Sequence, residues 1–174
     1  MGDLSHLDGH GWEDLLSQWH ARYLAEGLAD IRRQEPPVVS HRARRLRRVR
    51  AGLPDFAGTL ADGRRVAIEA KRSGDGRNRV FELRKIEKAQ GQALTRAMMS
   101  GALVYVALLH EGRPCLIPWP ELAPRWAMVG LGGRIHLHHG DLAGWPEIDP
   151  VAGWLPLIDP IRIDEALDRS GSDR

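Results

Sequence analysis

PDFAGTLADGRRVAIEAK, residues 54–71, reads as two strand-like runs flanking the hairpin signal Ala61-Asp62-Gly63. Side chains alternate along a strand, so Glu69 and Lys71 project from one face, while Val66, Ile68 and Ala70 turn to the other. A three-residue loop with Gly63 left-handed pairs Leu60 with Arg64 and sets Asp55 opposite Glu69. Two carboxylates and an ammonium then converge. A strict two-residue loop at Asp62-Gly63 instead sends Asp55 and Glu69 to opposite faces. Convergence therefore requires the longer loop, or a bulge, for which Gly58 is a candidate.

Upstream of the hairpin, Trp12, Leu15, Leu16, Trp19 and Tyr23 have helical spacing and predict a helix from about Trp12 to Glu26. Gly27 ends it, and Leu28 to Arg33 reads as a short strand. Pro36-Pro37 then breaks the pattern. Downstream, the loop from Ser73 to Asn78 precedes a helix expected from about Phe81 to Ser100. Strands follow at Ala102 to Leu109 and Gly112 to Pro118, then a short helix around Glu121 to Trp126. Beyond it the Pro-, Gly- and Trp-rich sequence reads as irregular to about Ile161, and most of the six tryptophans belong in the core. This order predicts an α/β fold, a central mixed sheet flanked by helices. A flexible N-terminus is expected over 1–10, one folded domain over 11–167 with a basic excursion at 38–52, and a flexible tail at 168–174.

A chain of 174 residues, 43% of them hydrophobic, suits one domain with its own core. The single cysteine, Cys115, makes no internal disulfide, which favours a reducing cytoplasm. No segment reads as a signal peptide or a membrane span, so a cytoplasmic protein without membrane attachment is expected. The net charge of +2 conceals an asymmetry. Residues 1–31 carry −5, residues 32–88 carry +10 and residues 89–174 carry −3. A basic centre suits a polyanion, because phosphate contacts release condensed counterions; a merely solvated surface is the plain alternative.

Paired carboxylates repel unless a cation lies between them. Oxygen ligands without nearby Cys or His select a hard ion, Mg²⁺, with Mn²⁺ standing in for it, and no small-molecule cofactor is implied. Such an ion activates water and neutralises charge on a phosphate. Lys71 can orient or deprotonate the nucleophile, or stabilise developing charge. An ordinary surface hairpin with Glu and Lys two apart is the bland alternative to this short motif.

Several segments in order resemble the RecU-type Holliday junction resolvases of the PD-(D/E)XK nuclease class. Glu13-Asp14-Leu15 and Tyr23 to Ile31 look like that family's first helix and strand, and Gln34-Glu35-Pro36-Pro37 like the exit from the strand. Pro54 to Gly58 and Ala67 to Lys71 resemble its metal-binding segments. Phe81-Glu82-Leu83, Gln90, Gly101 to Tyr105, Gly132-Gly133-Arg134 and Leu155 to Asp159 are similar to its later ones. The likeness spans roughly residues 11–167. It implies a restriction-endonuclease-like core and a homodimer that nicks opposing strands of branched, four-way DNA. It also implies Asp55, Glu69 and the Ala70 carbonyl as metal ligands, Lys71 as the catalytic lysine, Glu13 facing the site, and Gln90 supporting it. Two departures stand out: Leu53-Pro54 replaces a hydroxyl pair, and the excursion is shorter than the family's stalk. Archaeal-type resolvases, other branched-DNA or restriction-like nucleases and a non-catalytic DNA-binding module are the alternatives.

Without that resemblance, Gln90 on the stripe of Ile86, Ala93, Leu94 and Ala97 reads as a hydrogen-bonded core residue, and Glu13 as a solvated acid. Arg42, Arg44, Arg45, Arg47, Arg48 and Arg50, with Arg72, Arg77 and Arg79 nearer the hairpin, are the candidate DNA contacts. His136, His138, His139 and Asp141 have the composition of a zinc cluster, but alternating His near Gly turns reads better as surface decoration.

Overall fold

The structure, a computed structural model, describes residues 4–35, 38–39, 47–48, 52–73, 80–133 and 135–158, with the backbone alone at 38–39, 47–48 and 139. In chain order come α1 (Gly9–Ala25), β1 (Ala29–Arg33), β2 (Val38–Val39), β3 (Arg47–Arg48), β4 (Phe56–Leu60) and β5 (Arg65–Ser73). They are followed by β6 (Val80–Glu82), α2 (Lys88–Met99), β7 (Leu103–His110), β8 (Arg113–Pro118), α3 (Trp119–Val129), β9 (His136–His138) and α4 (His139–Leu142).

The β4–β5 hairpin adopts the longer loop. Phe56 faces Ile68 and Thr59 faces Arg65 without interruption. The Leu60 N–H donates to the Arg64 carbonyl at 2.9 Å, and Gly63 sits at φ 87°. Continued past Phe56, this register sets Asp55 against Glu69. Gly58 forms no bulge there. It lies where a Cβ would collide with the Asp30 carbonyl on β1, so it permits close strand packing instead.

Around the hairpin a five-stranded mixed sheet forms in the order β1-β4-β5-β7-β8. All neighbours are antiparallel except β5 and β7, whose parallel pairing requires a crossover, and α2 provides it. The alternation expected along β5 is realised. Val66, Ile68 and Ala70 join Trp12, Leu16, Trp19 and Tyr23 of α1 in one core. Ala67 joins Leu94 of α2 and Trp119 and Leu122 of α3 in a second core on the opposite face. Glu69 and Lys71 therefore lie on the α2 face. Four tryptophans are buried and the other two, Trp126 and Trp145, pack partly buried on the second core.

Three expectations need correction. The segment from Phe81 is not continuously helical: it runs as β6, one 3-10 turn at Leu83–Lys85, and then α2 from Lys88. Phe81, Leu83 and Ile86 are all buried, and the spacing of two between the first pair is that of a strand. Glu87 and Gln90 form a capping box that fixes the helix start. At the N-terminus α1 begins at Gly9, ahead of Trp12, because Asp8 accepts the Gly11 N–H at 2.7 Å and caps it despite two glycines. Finally, α3 spans Trp119–Val129, and the stretch expected to be irregular contains β9, α4 and a 3-10 turn at Leu155–Leu157.

The C-terminal part of this stretch closes the first core. Trp154 Nε1 donates to His20 Nε2 at 3.0 Å. His20 also meets the Phe56 ring edge-on at 4.8 Å. Its Nδ1 has no hydrogen-bond partner among the described residues. Burial depresses the imidazole to about 4 from an ordinary 6.5. Between those values the unfolded chain binds a proton that the folded one refuses, so stability present above pH 6.5 is lost as pH falls towards 4. The loss amounts to about 3 kcal/mol at about 1.4 kcal/mol per unit. His20→Gln keeps an acceptor for the indole but does not titrate. It should melt lower than wild type at pH 7 and with a flatter profile between pH 7 and 4.5. Parallel melting profiles for the two proteins would rule this group out as the source.

Candidate active site

Backbone pairing fixes Asp55 before its side chain does anything. The Gln34 N–H, one residue beyond β1, donates to the Asp55 carbonyl at 2.8 Å. On the other side Asp55 Oδ2 accepts the Ala70 N–H of β5 at 2.8 Å. The residue is thus held between both neighbouring strands, and Pro54 before it restricts the approach of the chain.

Glu69 lies beneath Asp55 and is fully buried, at 0% exposure. Lys71 Nζ donates to Glu69 Oε1. Glu69 Oε2 is buried without a hydrogen-bond partner among the described residues. Burial and then the Asp55 charge push the Glu69 carboxyl up to about 8, and Lys71 opposes them without prevailing. A carboxylate at the bottom of a hydrophobic sheet has lost its hydration, and one ammonium on one oxygen does not replace it.

Glu13 reaches the same place from α1. Its carboxyl is raised by burial first and by Asp55 second, and Arg33 at the end of β1 forms an ion pair with it. Gln90 arrives from α2, where its Oε1 accepts the Glu87 N–H at 3.0 Å. Glu13, Asp55, Ala70, Lys71 and Gln90 all line one cavity of about 400 Å³, with Glu69 below its floor.

Sequence spacing missed two members of the rim and the ion-pair partner of Glu13. Lys85 and Glu87 line the cavity because the 3-10 turn buries Ile86 and points its neighbours outward, which a continuous helix does not do. Arg33 was visible only as part of a basic stretch. Of the candidate DNA contacts, Arg72 is half-buried on β5, on the α1 face, and does not line the cavity. Arg42, Arg44, Arg45, Arg50, Arg77 and Arg79, the side chains of Arg47 and Arg48, and the tail at 168–174 lie outside the described residues.

A divalent cation fits this donor set. The Glu69 Oε2 that no donor reaches and the Asp55 carboxylate against it are two hard oxygens in need of a positive charge. Among the described residues no three His, Cys, Asp or Glu side chains cluster as a complete ligand set. Two carboxylates suit a small hard ion that keeps several waters. Among the described side chains His136, His138 and Asp141 form no such set either; His138 donates its backbone N–H to Asp141 at 2.9 Å.

No protein-family model matches this chain, and no curated protein matches it. Among solved structures it is similar to that of Hjc from Archaeoglobus fulgidus, a Holliday junction resolvase from an archaeal hyperthermophile. The TM-score is 0.48 and the identity 19%, over 80% of this chain and 98% of that one. A likeness of that size carries no argument for this chain; the arrangement of its own residues does.

Proposed function

We propose that the protein is a metal-dependent DNA endonuclease that resolves four-way junctions by paired nicks as a homodimer, in the manner of the RecU-type resolvases that its sequence resembles. The observation that carries the nuclease assignment is the buried Glu69 oxygen without a donor, set against Asp55 and beside Lys71. Neither fold stability nor DNA binding alone calls for that arrangement. A buried carboxyl with its affinity for protons raised costs folding free energy, and such costs concentrate at functional sites.

Asp55, Glu69 and the Ala70 carbonyl would hold Mg²⁺, or Mn²⁺ in its place. When bound, the ion supplies charge to polarise a phosphate and to acidify a water. The chain's own residues do the rest. The Gln34 and Ala70 N–H groups keep Asp55 from turning away. Lys71, 15% exposed, presents its ammonium at the cavity wall, where it can orient an attacking water and stabilise charge on the phosphate oxygens. Gln90 reaches the cavity from a capped helix start and can fix a further water there.

Junction selectivity and dimerisation rest on the family resemblance and on symmetry, since two nicks in strands of like polarity call for a two-fold pair of sites. A location in the cytoplasm goes with that role, and no helix among the described residues is long and apolar enough to cross a membrane. The deciding experiment incubates a synthetic four-way junction and a linear duplex of the same sequence with the protein in Mg²⁺ and in EDTA. Symmetric nicking of the junction, none in EDTA, and a solution mass near twice 19.4 kDa are expected. Equal cutting of both substrates would leave a general nuclease, and binding without any cutting would leave a DNA-binding module.

A further inference from the structure

Beside the candidate active site lies a second hollow, about 380 Å³, between the β4–β5 hairpin and α2. The two share a wall, because Gly52, Leu53 and Pro54 line both. Their characters differ. The catalytic cavity carries the acids Glu13, Asp55 and Glu87 beside Lys71 and Lys85. Among the described residues no acid lines the second hollow, and Arg65 and Arg96 are its only charged lining residues. Its floor is made of small apolar groups, among them Ala57 of β4 and Ala93 and Ala97 of α2.

Arg65 and Arg96 are both exposed, one on the first residue of β5 and the other in the last turn of α2. Arg65 donates to the Ser100 carbonyl, and neither arginine has an acidic partner among the described residues. Ordinary surface arginines in this chain find one: Arg32, Arg64, Arg84, Arg113 and Arg125 each sit against a carboxylate. Two uncompensated guanidinium groups at the mouth of an acid-free hollow favour an anion. The alanine floor adds the other half of the complementarity, since it offers apolar contact and no base-specific donors or acceptors.

We infer that this groove holds the sugar–phosphate backbone of the DNA strand next to the scissile phosphate. Arg65 and Arg96 take consecutive phosphates, and the deoxyriboses lie on the alanine floor. This rests on the nuclease assignment above and extends it by naming the track along which the cut strand enters. Contacts of this kind fix position and carry no sequence information, so the groove contributes affinity without base preference.

The test uses the full chain, a four-way junction and a linear duplex, with binding measured in EDTA from 50 to 200 mM salt and cleavage measured in Mg²⁺. Arg65→Ala/Arg96→Ala should flatten the log–log salt slope by roughly 1.4–1.8 per occupied groove, from about 0.7–0.9 per lost phosphate contact. It should raise KM for cleavage about tenfold, with a smaller change in kcat. Ala97→Trp, which fills the floor while leaving both charges, should also weaken DNA binding. Circular dichroism checks its fold, and if it unfolds, the exposed arginine pair decides alone. Wild type that cleaves, with the arginine variant matching it in salt slope and KM, overturns the groove and spares the nuclease assignment. Wild type that neither binds nor cuts DNA overturns the assignment itself. If Ala97→Trp halves the solution mass while the arginine variant keeps the wild-type salt slope, the groove holds a second copy of this chain, and the inference fails.

Discussion

Asp55→Asn and Glu69→Gln should each lower junction cleavage by roughly 10³-fold or more, the scale on which removing a single preorganised charge-stabilising group acts in other hydrolases. Loss of activity alone would not separate a functional role from a folding defect. Glu69→Gln provides the separation because its two effects run in opposite directions. In EDTA the wild-type carboxyl binds protons more tightly folded than unfolded, through burial and the nearby Asp55 charge. An acid whose affinity for protons rises on folding supports the fold below its unfolded value near 4.5, and that support is lost as pH climbs towards 8. The neutral amide escapes the loss. Glu69→Gln should therefore melt higher than wild type at pH 8 in EDTA, with the gain shrinking towards pH 5, while its cleavage is abolished. A variant that melts lower at pH 8 would mark Glu69 as a structural residue, and near-wild-type cleavage would remove it from the site.

That combination is partly legible in the sequence. Glu69 and Lys71 on one strand face, with Val66, Ile68 and Ala70 on the other, follow from a period of two, which strands rarely violate. The pairing of Asp55 with Glu69 was conditional on loop length, and Gly63 settled it locally, because only a left-handed residue closes the three-residue turn adopted here. Local rules succeeded where local geometry decides. They failed from Phe81 to Glu87, where burial of Phe81, Leu83 and Ile86 against distant elements overrides helical preference until the capping box at Glu87. The rim residues Lys85 and Glu87 were lost with that helix. The ion pair of Arg33 with Glu13 joins residues twenty apart on different elements, and nothing in their spacing announces it. The depth of Glu69 was likewise invisible, since full burial of an acid depends on the elements packed around its strand and not on its neighbours in sequence.

Magnesium affinity should fall steeply as pH drops from 8 to 6, approaching tenfold per unit. In the free protein a proton sits on the Glu69 carboxyl, favoured by its burial and by the nearby Asp55 charge. A cation must displace that proton, so binding and deprotonation are linked. Calorimetric titration at pH 7 in two buffers of different ionisation enthalpy should report close to one proton released per ion bound, and almost none at pH 9.5. Lys71 gives the sign an independent check. Its ammonium on Glu69 Oε1 favours the charged carboxylate. Lys71→Met removes that support, so Glu69 should hold its proton more tightly and the affinity profile should move to higher pH. A lysine that merely contacted DNA would leave the profile in place. Magnesium binding at pH 7 without proton release would mean that the buried Glu69 is already ionised, compensated by a charge other than Lys71.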